Sequence, residues 1–282
     1  MLFSRPDGTP ATDVAPFRRM MPFIMPTRNE SAVYFEQWID LTKTLAFIEA
    51  WNGAHPEKKI TVFHVFLAGV VKAFTERPRL NRFVMGSRIW QRDGIYISFA
   101  AKKKLEDGAP LAVIKRKFAP TDTFEQVVNH IYGDVKEGRS DKKSHVDKEL
   151  SIFLRLPGPL LRIGVAIVGW LDKWNLLPGS FIHPDPMYAS MFIANLGSVK
   201  LDSAYHHLYE WGNCPFFAAL GRTQEVVTPT GNKMMCSIKY SFDERIEDGL
   251  YCAKGLELVR AHLEDPGRDL TAQAPVSAMT AG

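Results

Sequence analysis

Apolar and polar positions alternate along residues 31–39 (SAVYFEQWI), the two-residue period of a strand. Asp40 then stands where a cap would open a helix through about residue 52, with Leu41, Leu45, Ile48 and Trp51 on one stripe. Thr61 opens a second helix, VFHVFLAGVVKAFTER, which is apolar nearly all round and stops before Pro78, the pattern of a central buried helix. Short strands are predicted over 83–85, 88–90, 94–101 and 111–114, with turns at Gly86-Ser87 and Arg92-Asp93-Gly94. Thr121 begins another helix, with Glu125 near its first turn. Strands follow over 188–195, 215–221, 224–228 and 233–242, then an amphipathic helix over 247–263. This order lacks strict strand–helix alternation and predicts an α+β domain with a largely antiparallel or mixed sheet packed by helices.

The ends and one internal stretch break the pattern. Residues 1–16, rich in Pro, Gly, Thr and Asp, read as a flexible arm. Residues 17–27 (FRRMMPFIMPT) mix apolar, basic and proline positions and are expected to lie extended on the body. Residues 138–148 are strongly polar, a surface loop or helix start, and 266–282 form a tail expected to fray into disorder. Residues 150–171 (LSIFLRLPGPLLRIGVAIVGWL) are long enough to span a bilayer, but Arg155, Arg162 and Pro157-Gly158-Pro159 interrupt them. The uninterrupted run, 163–171, has nine residues and reads as a buried or partner-facing helix, with an interfacial membrane helix as the alternative.

Composition narrows the function classes. The 282 residues carry 35 Lys+Arg against 31 Asp+Glu, a net charge of +4 that is too small for the clustered basic stripe of a nucleic-acid binder. Lys102-Lys103-Lys104 and Lys115-Arg116-Lys117 are the basic patches, readable as solvated faces or as a site for an anionic ligand such as the phosphates of coenzyme A. Cys214, Cys236 and Cys252 form no CxxC pair and no zinc spacing, so no metal is expected. Scattered cysteines and an N-terminus with no apolar core point to a reducing, cytoplasmic setting.

The stretch 241–249 (SFDERIEDG) resembles the S-[YF]-D-H-R-x-x-D-G signature of the dihydrolipoyl acyltransferases, the core subunits of 2-oxoacid dehydrogenase complexes, whose catalytic domain belongs to the chloramphenicol acetyltransferase-like superfamily. Five further blocks resemble that domain in the same order: 31–52, 61–81, 88–99, 192–197 (FIANLG, against F-T-[IV]-S-N-L-G) and 214–221 (CPFFAALG). The resemblance implies a two-layer α/β sandwich over 17–265, with an unusual apolar insertion at about 140–187, and a homotrimer whose active site lies in a channel between copies. It implies acyl transfer from a thioester of coenzyme A: a histidine removes a thiol proton, and a serine in the S-N-L-G block steadies the oxyanion. Here Glu244 stands at the histidine position and Ala194, beside Asn195, at the serine position. Losing the base costs about 10²–10⁴ in rate, and the oxyanion donor about 10²–10³. Asp243, Arg245, Asp248 and Gly249 are kept, residues that are chiefly structural in the family.

Three residues are candidates for the missing base. Glu244 could serve if burial raised its pKa or if Glu247 shared its proton. His206 and His207 lie in the loop between the 192–197 and 214–221 blocks, which lines the family's channel. Cys214 and His64 read as a buried inert thiol and a core histidine. The chain begins almost at the catalytic domain, so no lipoyl group is expected on it. Three readings follow: a diverged acyltransferase with a relocated base, a catalytically inactive trimeric scaffold or binding protein on the same fold, and a membrane-surface protein held by 150–177.

Overall fold

In the computed structural model, residues 4–102, 111–138 and 156–270 are described. Lys103 and Lys104, most of the predicted polar loop, residues 150–155 and the tail beyond 270 lie outside the described residues. Strands β2 (Ala32–Asp40), β5 (Ile95–Lys102), β6 (Leu111–Phe118), β7 (Met191–Asn195), β8 (Phe216–Leu220), β9 (Gln224–Thr228) and β10 (Gly231–Asp243) form one seven-stranded sheet. Its order is β2-β10-β8-β7-β5-β6, with β9 paired to β10. The β5–β7 and β7–β8 pairs are parallel and the others antiparallel, so the sheet is mixed. A smaller antiparallel sheet holds β1 (Gly8–Pro10), β4 (Arg88–Arg92) and β3 (Arg82–Met85), in that order.

One face of the large sheet meets the helices. Along β10, Cys236, Ile238, Tyr240 and Phe242 point into the main core, while Ser237, Lys239 and Ser241 alternate onto the other face. The core is centred on α3 (Val62–Glu76), where Val65, Phe66, Leu67 and Val70 are fully buried. A capping box opens α3: the Thr61 side chain accepts from the helix backbone, and the Thr61 amide donates to His64 Nδ1 at 3.2 Å. Helices α2 (Thr42–Ala54), α4 (Phe124–Gly138) and α7 (Gly249–Glu264) pack around it. The outer face is covered by residues 201–214, whose Leu208 and Cys214 close a second cluster with Phe192, Phe217 and Ala219.

Four segments differ from expectation. The N-terminal arm is pinned from residue 5 onward: Arg5 and Asp7 are buried, and β1 pairs with β4. Their charges are tolerated inside because each is matched there, Arg5 by Asp7 (2.9 Å) and Asp172 (2.8 Å). Residues 16–24 form a helix, α1 (Pro16–Ile24), since Pro16 occupies the first turn, where a missing N–H costs nothing. The Pro-Gly-Pro stretch starts a helix rather than breaking one: Pro157 caps α5 (Gly158–Lys173). Most of α5 is exposed, not buried. Finally, β7 begins at Met191, the short helix α6 (Gly179–Ile182) lies within the insertion, and α8 (Pro266–Asp269) closes the described chain, with Leu270 packed into the core.

Candidate active site

The signature lies where β10 turns into α7. Asp243, the last residue of β10, is completely buried, and Arg245 folds back on it with Nε–Oδ1 at 2.8 Å and Nη2–Oδ2 at 2.7 Å. Such a two-pronged pair satisfies both buried charges and fixes the turn. Arg245 Nη1 also donates to the Met25 carbonyl (2.8 Å), so the loop is tied to the segment after α1. Asp248 caps α7 by accepting from the Tyr251 amide at 2.8 Å, which holds its carboxyl below its ordinary value. Gly249 opens the helix, and a Cβ there would meet nothing within 4 Å.

Glu244 is half-buried in this turn. Its amide donates to the Ser31 carbonyl (3.0 Å), and its own carbonyl accepts from Arg18 of α1. Glu247 is no proton-sharing partner for it. It is buried and accepts from Arg82 at 2.7 Å and Arg79 at 3.3 Å, which commits its carboxylate to an ion-pair cluster.

Ala194 lies far from Glu244 within one chain. The register pairs Ala194 with Ala219, and Ala219 with Lys239, five residues before Glu244 on β10. At about 3.4 Å per residue the two positions are about 17 Å apart along the sheet. Asn195 accepts from the Ser198 amide at 3.2 Å and caps the following turn, a structural duty.

His206 lies between these ends. Its carbonyl accepts from Ser241 Oγ, and its ring stacks on Phe217, 3.9 Å between centroids and 7° between planes. Phe217 pairs with Phe192, two residues from Ala194, so the imidazole is about 7 Å along the strands from the Ala194 row. His206 Nδ1 lies 2.6 Å from the His207 carbonyl. A carbonyl only accepts, so Nδ1 carries the hydrogen and Nε2 is left as an acceptor. Burial pushes the His206 pKa below its ordinary value, which favours the neutral ring. His207 stacks on His206 at 4.5 Å and makes a weaker contact of the same kind with the Leu208 carbonyl (3.1 Å).

The remaining candidates have structural roles. Cys214 is buried, and its Sγ donates to the Phe216 carbonyl at 3.3 Å. Burial raises its pKa despite the opposing pull of Arg92, Arg28 and Lys115, so it is a poor nucleophile. Lys115 donates to the Ile182 and Asp185 carbonyls (3.1 and 3.0 Å), and Arg116 is paired with Asp134. Neither meets a phosphate without giving up these partners, which leaves Lys117 as the exposed cation of that patch. Among the described residues no group of three or more His, Cys, Asp or Glu side chains could hold a metal ion.

Sequence reasoning missed the buried polar network behind this region. Asp172 accepts from Arg5 and from Tyr188 Oη (2.7 Å), and Asn213 joins Asp7 (2.7 Å) to Arg92 (2.6 Å). Arg28 donates to the Tyr209 and Gly212 carbonyls and anchors the loop that carries the histidines. The network bonds α5 and the 209–213 loop to the N-terminal segment. A cavity of about 240 Å³ opens beside it, lined by Arg28, Arg245, Tyr188 and Trp211 together with residues of α1 and α5.

Among the solved structures that match this arrangement, a probable dihydrolipoamide acetyltransferase from Listeria monocytogenes gives a TM-score of 0.59 at 18% identity, over 94% of this chain and 98% of that one. Dihydrolipoamide acetyltransferase from Azotobacter vinelandii gives 0.58 at 16%, over 91% and 93%. Chloramphenicol acetyltransferase gives 0.55 at 12%, over 90% and 95%. No protein-family model matches the chain, and no curated protein matches it by sequence. The chain therefore has the chloramphenicol acetyltransferase-like fold. Its architecture is similar to that of the two dihydrolipoamide acetyltransferases.

Proposed function

We propose that the protein is a diverged acyltransferase that works as a homotrimer and uses His206 as its general base. The observation that carries this reading is the His206 ring: neutral, held by Nδ1, and presenting Nε2 as a proton acceptor on the sheet face that also carries Ala194. His206 takes the proton of an acceptor thiol, and the thiolate attacks the carbonyl carbon of an acyl thioester such as acetyl-coenzyme A. When the carrier thiolate departs, His206 returns the proton to it. The homotrimer is carried into this reading by the resemblance of residues 241–249 and the five further blocks. Coenzyme A is the expected acyl carrier, with Lys117 the exposed cation of its patch.

The test is acyl transfer from acetyl-coenzyme A to dihydrolipoamide and to simpler thiols, compared across His206→Gln, His207→Gln and Glu244→Gln. His206→Gln is expected to lower kcat by about 10²–10⁴, with the other two within about tenfold of the parent. Equal rates in all three would remove His206 from the mechanism. A parent with no transfer to any thiol would favour the second reading, a non-catalytic scaffold. That alternative is supported by the absence of a hydroxyl at Ala194 and of an imidazole at Glu244, while the Asp243–Arg245 pair keeps the loop in shape.

A further inference from the structure

Two neighbouring helices turn apolar side chains outward. On α5, Leu161, Gly164, Val168 and Leu171 face the body, above the buried Asp172. Leu160, Ile163, Ile167, Trp170 and Trp174 recur at intervals of three and four, so they share one stripe. All five are between 47% and 57% exposed. On α1, Phe17, Met20, Phe23 and Ile24 form a second stripe, between 53% and 71% exposed. Pro22 of α1 and Val168 of α5 line the same cavity, so the helices are adjacent. An amphipathic helix in a soluble protein ordinarily turns such a stripe toward the core. Here both stripes point away from it.

Charge decides what could cover them. Within residues 16–26 and 156–177 the one acidic residue is Asp172, which is 3% exposed and bonded to Arg5 and Tyr188. The cations Arg18, Arg19, Arg162 and Lys173 all lie on these two helices, and Arg19, Arg162 and Lys173 are exposed. A second copy docked stripe to stripe would set cation against cation, with no charge pairs beside the stripe to fix a register. No helix of the described residues is long and apolar enough to cross a membrane. An anionic bilayer matches both features: its acyl boundary takes the apolar stripes, its headgroups suit the tryptophans, and its phosphates attract the cations.

We propose that α1 and α5 seat the protein on an anionic lipid surface, with α5 lying in the headgroup plane. Arg162 and Lys173 reach along their apolar stems to lipid phosphates, while Trp170 and Trp174 sit at the interface.

Co-sedimentation of the full chain with phosphatidylcholine vesicles, with and without phosphatidylglycerol, tests this. The protein is expected to pellet with the anionic vesicles and to remain in solution with the neutral ones. The double variant Ile163→Asp/Ile167→Asp, at exposed positions, should stay in solution while its circular dichroism matches the parent. Arg162→Gln/Lys173→Gln should weaken the partition by about fivefold per cation, and the parent's binding should weaken with added salt. No pelleting of the parent with anionic vesicles would overturn the proposal. So would pelleting unchanged in both variants, or light scattering in which the aspartate pair splits a larger assembly and vesicles bind neither form; that last outcome would assign the face to contact between copies.

Discussion

His64 should make the protein acid-sensitive through one helix cap. Its Nδ1 accepts the Thr61 amide at 3.2 Å, a bond that exists only while Nδ1 carries no proton. Among the described residues no carboxylate is bonded to the ring; it lies against Phe63 and Tyr132, at 6.0 and 5.7 Å between centroids. Burial drives its pKa down to about 4 from 6.5. The unfolded chain therefore takes up a proton near pH 6.5 that the folded protein refuses until about pH 4. Stability is fully present above pH 6.5 and falls between those two values. At about 1.4 kcal/mol per pH unit the loss is at most about 3.5 kcal/mol, of which about 2 appears by pH 5. The ring keeps some contact with water, which trims that bound. Gln at position 64 preserves the capping geometry and cannot titrate. Urea unfolding of the parent and of His64→Gln at pH 7.5, 6.0 and 5.0 isolates the effect, because every other acidic group is common to both. The parent should lose up to about 2 kcal/mol more than the variant on going to pH 5. Parallel pH profiles would refute the assignment.

Three further outcomes follow from buried contacts. Asp243→Asn leaves Arg245 buried without its counter-charge and should cost about 3–5 kcal/mol in a thermal melt, whereas Asp243→Leu/Arg245→Met should cost less; the reverse order would sink the ion-pair account. Gly212→Ala forces an L-residue to φ +71 with its Cβ 2.4 Å from the Met187 carbonyl, and should cost clearly more than Gly231→Ala, which has φ +113 and open space; similar melting temperatures would contradict this. The three cysteines are buried, with Cys236 and Cys252 pushed up to about 12 and Cys214 also raised, so a thiol reagent at pH 8 should label none quickly in the native protein and all three after unfolding. Rapid labelling of Cys214 in the folded state would mean that its surroundings activate it.

What could be read from the chain alone was local. The α3 helix announces itself by an apolar run with a cap residue at Thr61, and β10 by ten residues of alternation, because periodicity is a property of neighbours. The signature marked the loop after β10 by resemblance rather than by periodicity, while the helix expected from residue 247 begins at Gly249. The N-terminal network was out of reach: Asp7 finds Asn213 across 206 positions, and nothing near Arg5-Pro6-Asp7 marks it as interior. Periodicity foresaw a helix at 163–171 but not which side would pack, since both faces of α5 are apolar and only the rest of the fold chooses between them. Glu247 misled for a related reason. Its neighbour in sequence is Glu244, but its partners in space are Arg82 and Arg79, on and beside β3.

The register also bears on the two positions that the resemblance singles out. Ala194 is the last residue but one of β7 and Glu244 follows β10, about 17 Å apart along one sheet, so within one copy no single local rearrangement restores both. On the reading proposed above, the substitute base comes from an element that already lies over the strands of one copy. The 201–214 loop does so, through Leu208 and Cys214 in the outer cluster and through the bond from Ser241 to the His206 carbonyl. Arg28, itself beneath the signature segment, holds the far end of that loop at Tyr209 and Gly212. The position of His206 thus depends on the N-terminal strap as well as on the sheet. Weakening that strap, as in Arg28→Lys, should lower any transfer rate without touching the ring, and a normal rate in that variant would uncouple the two.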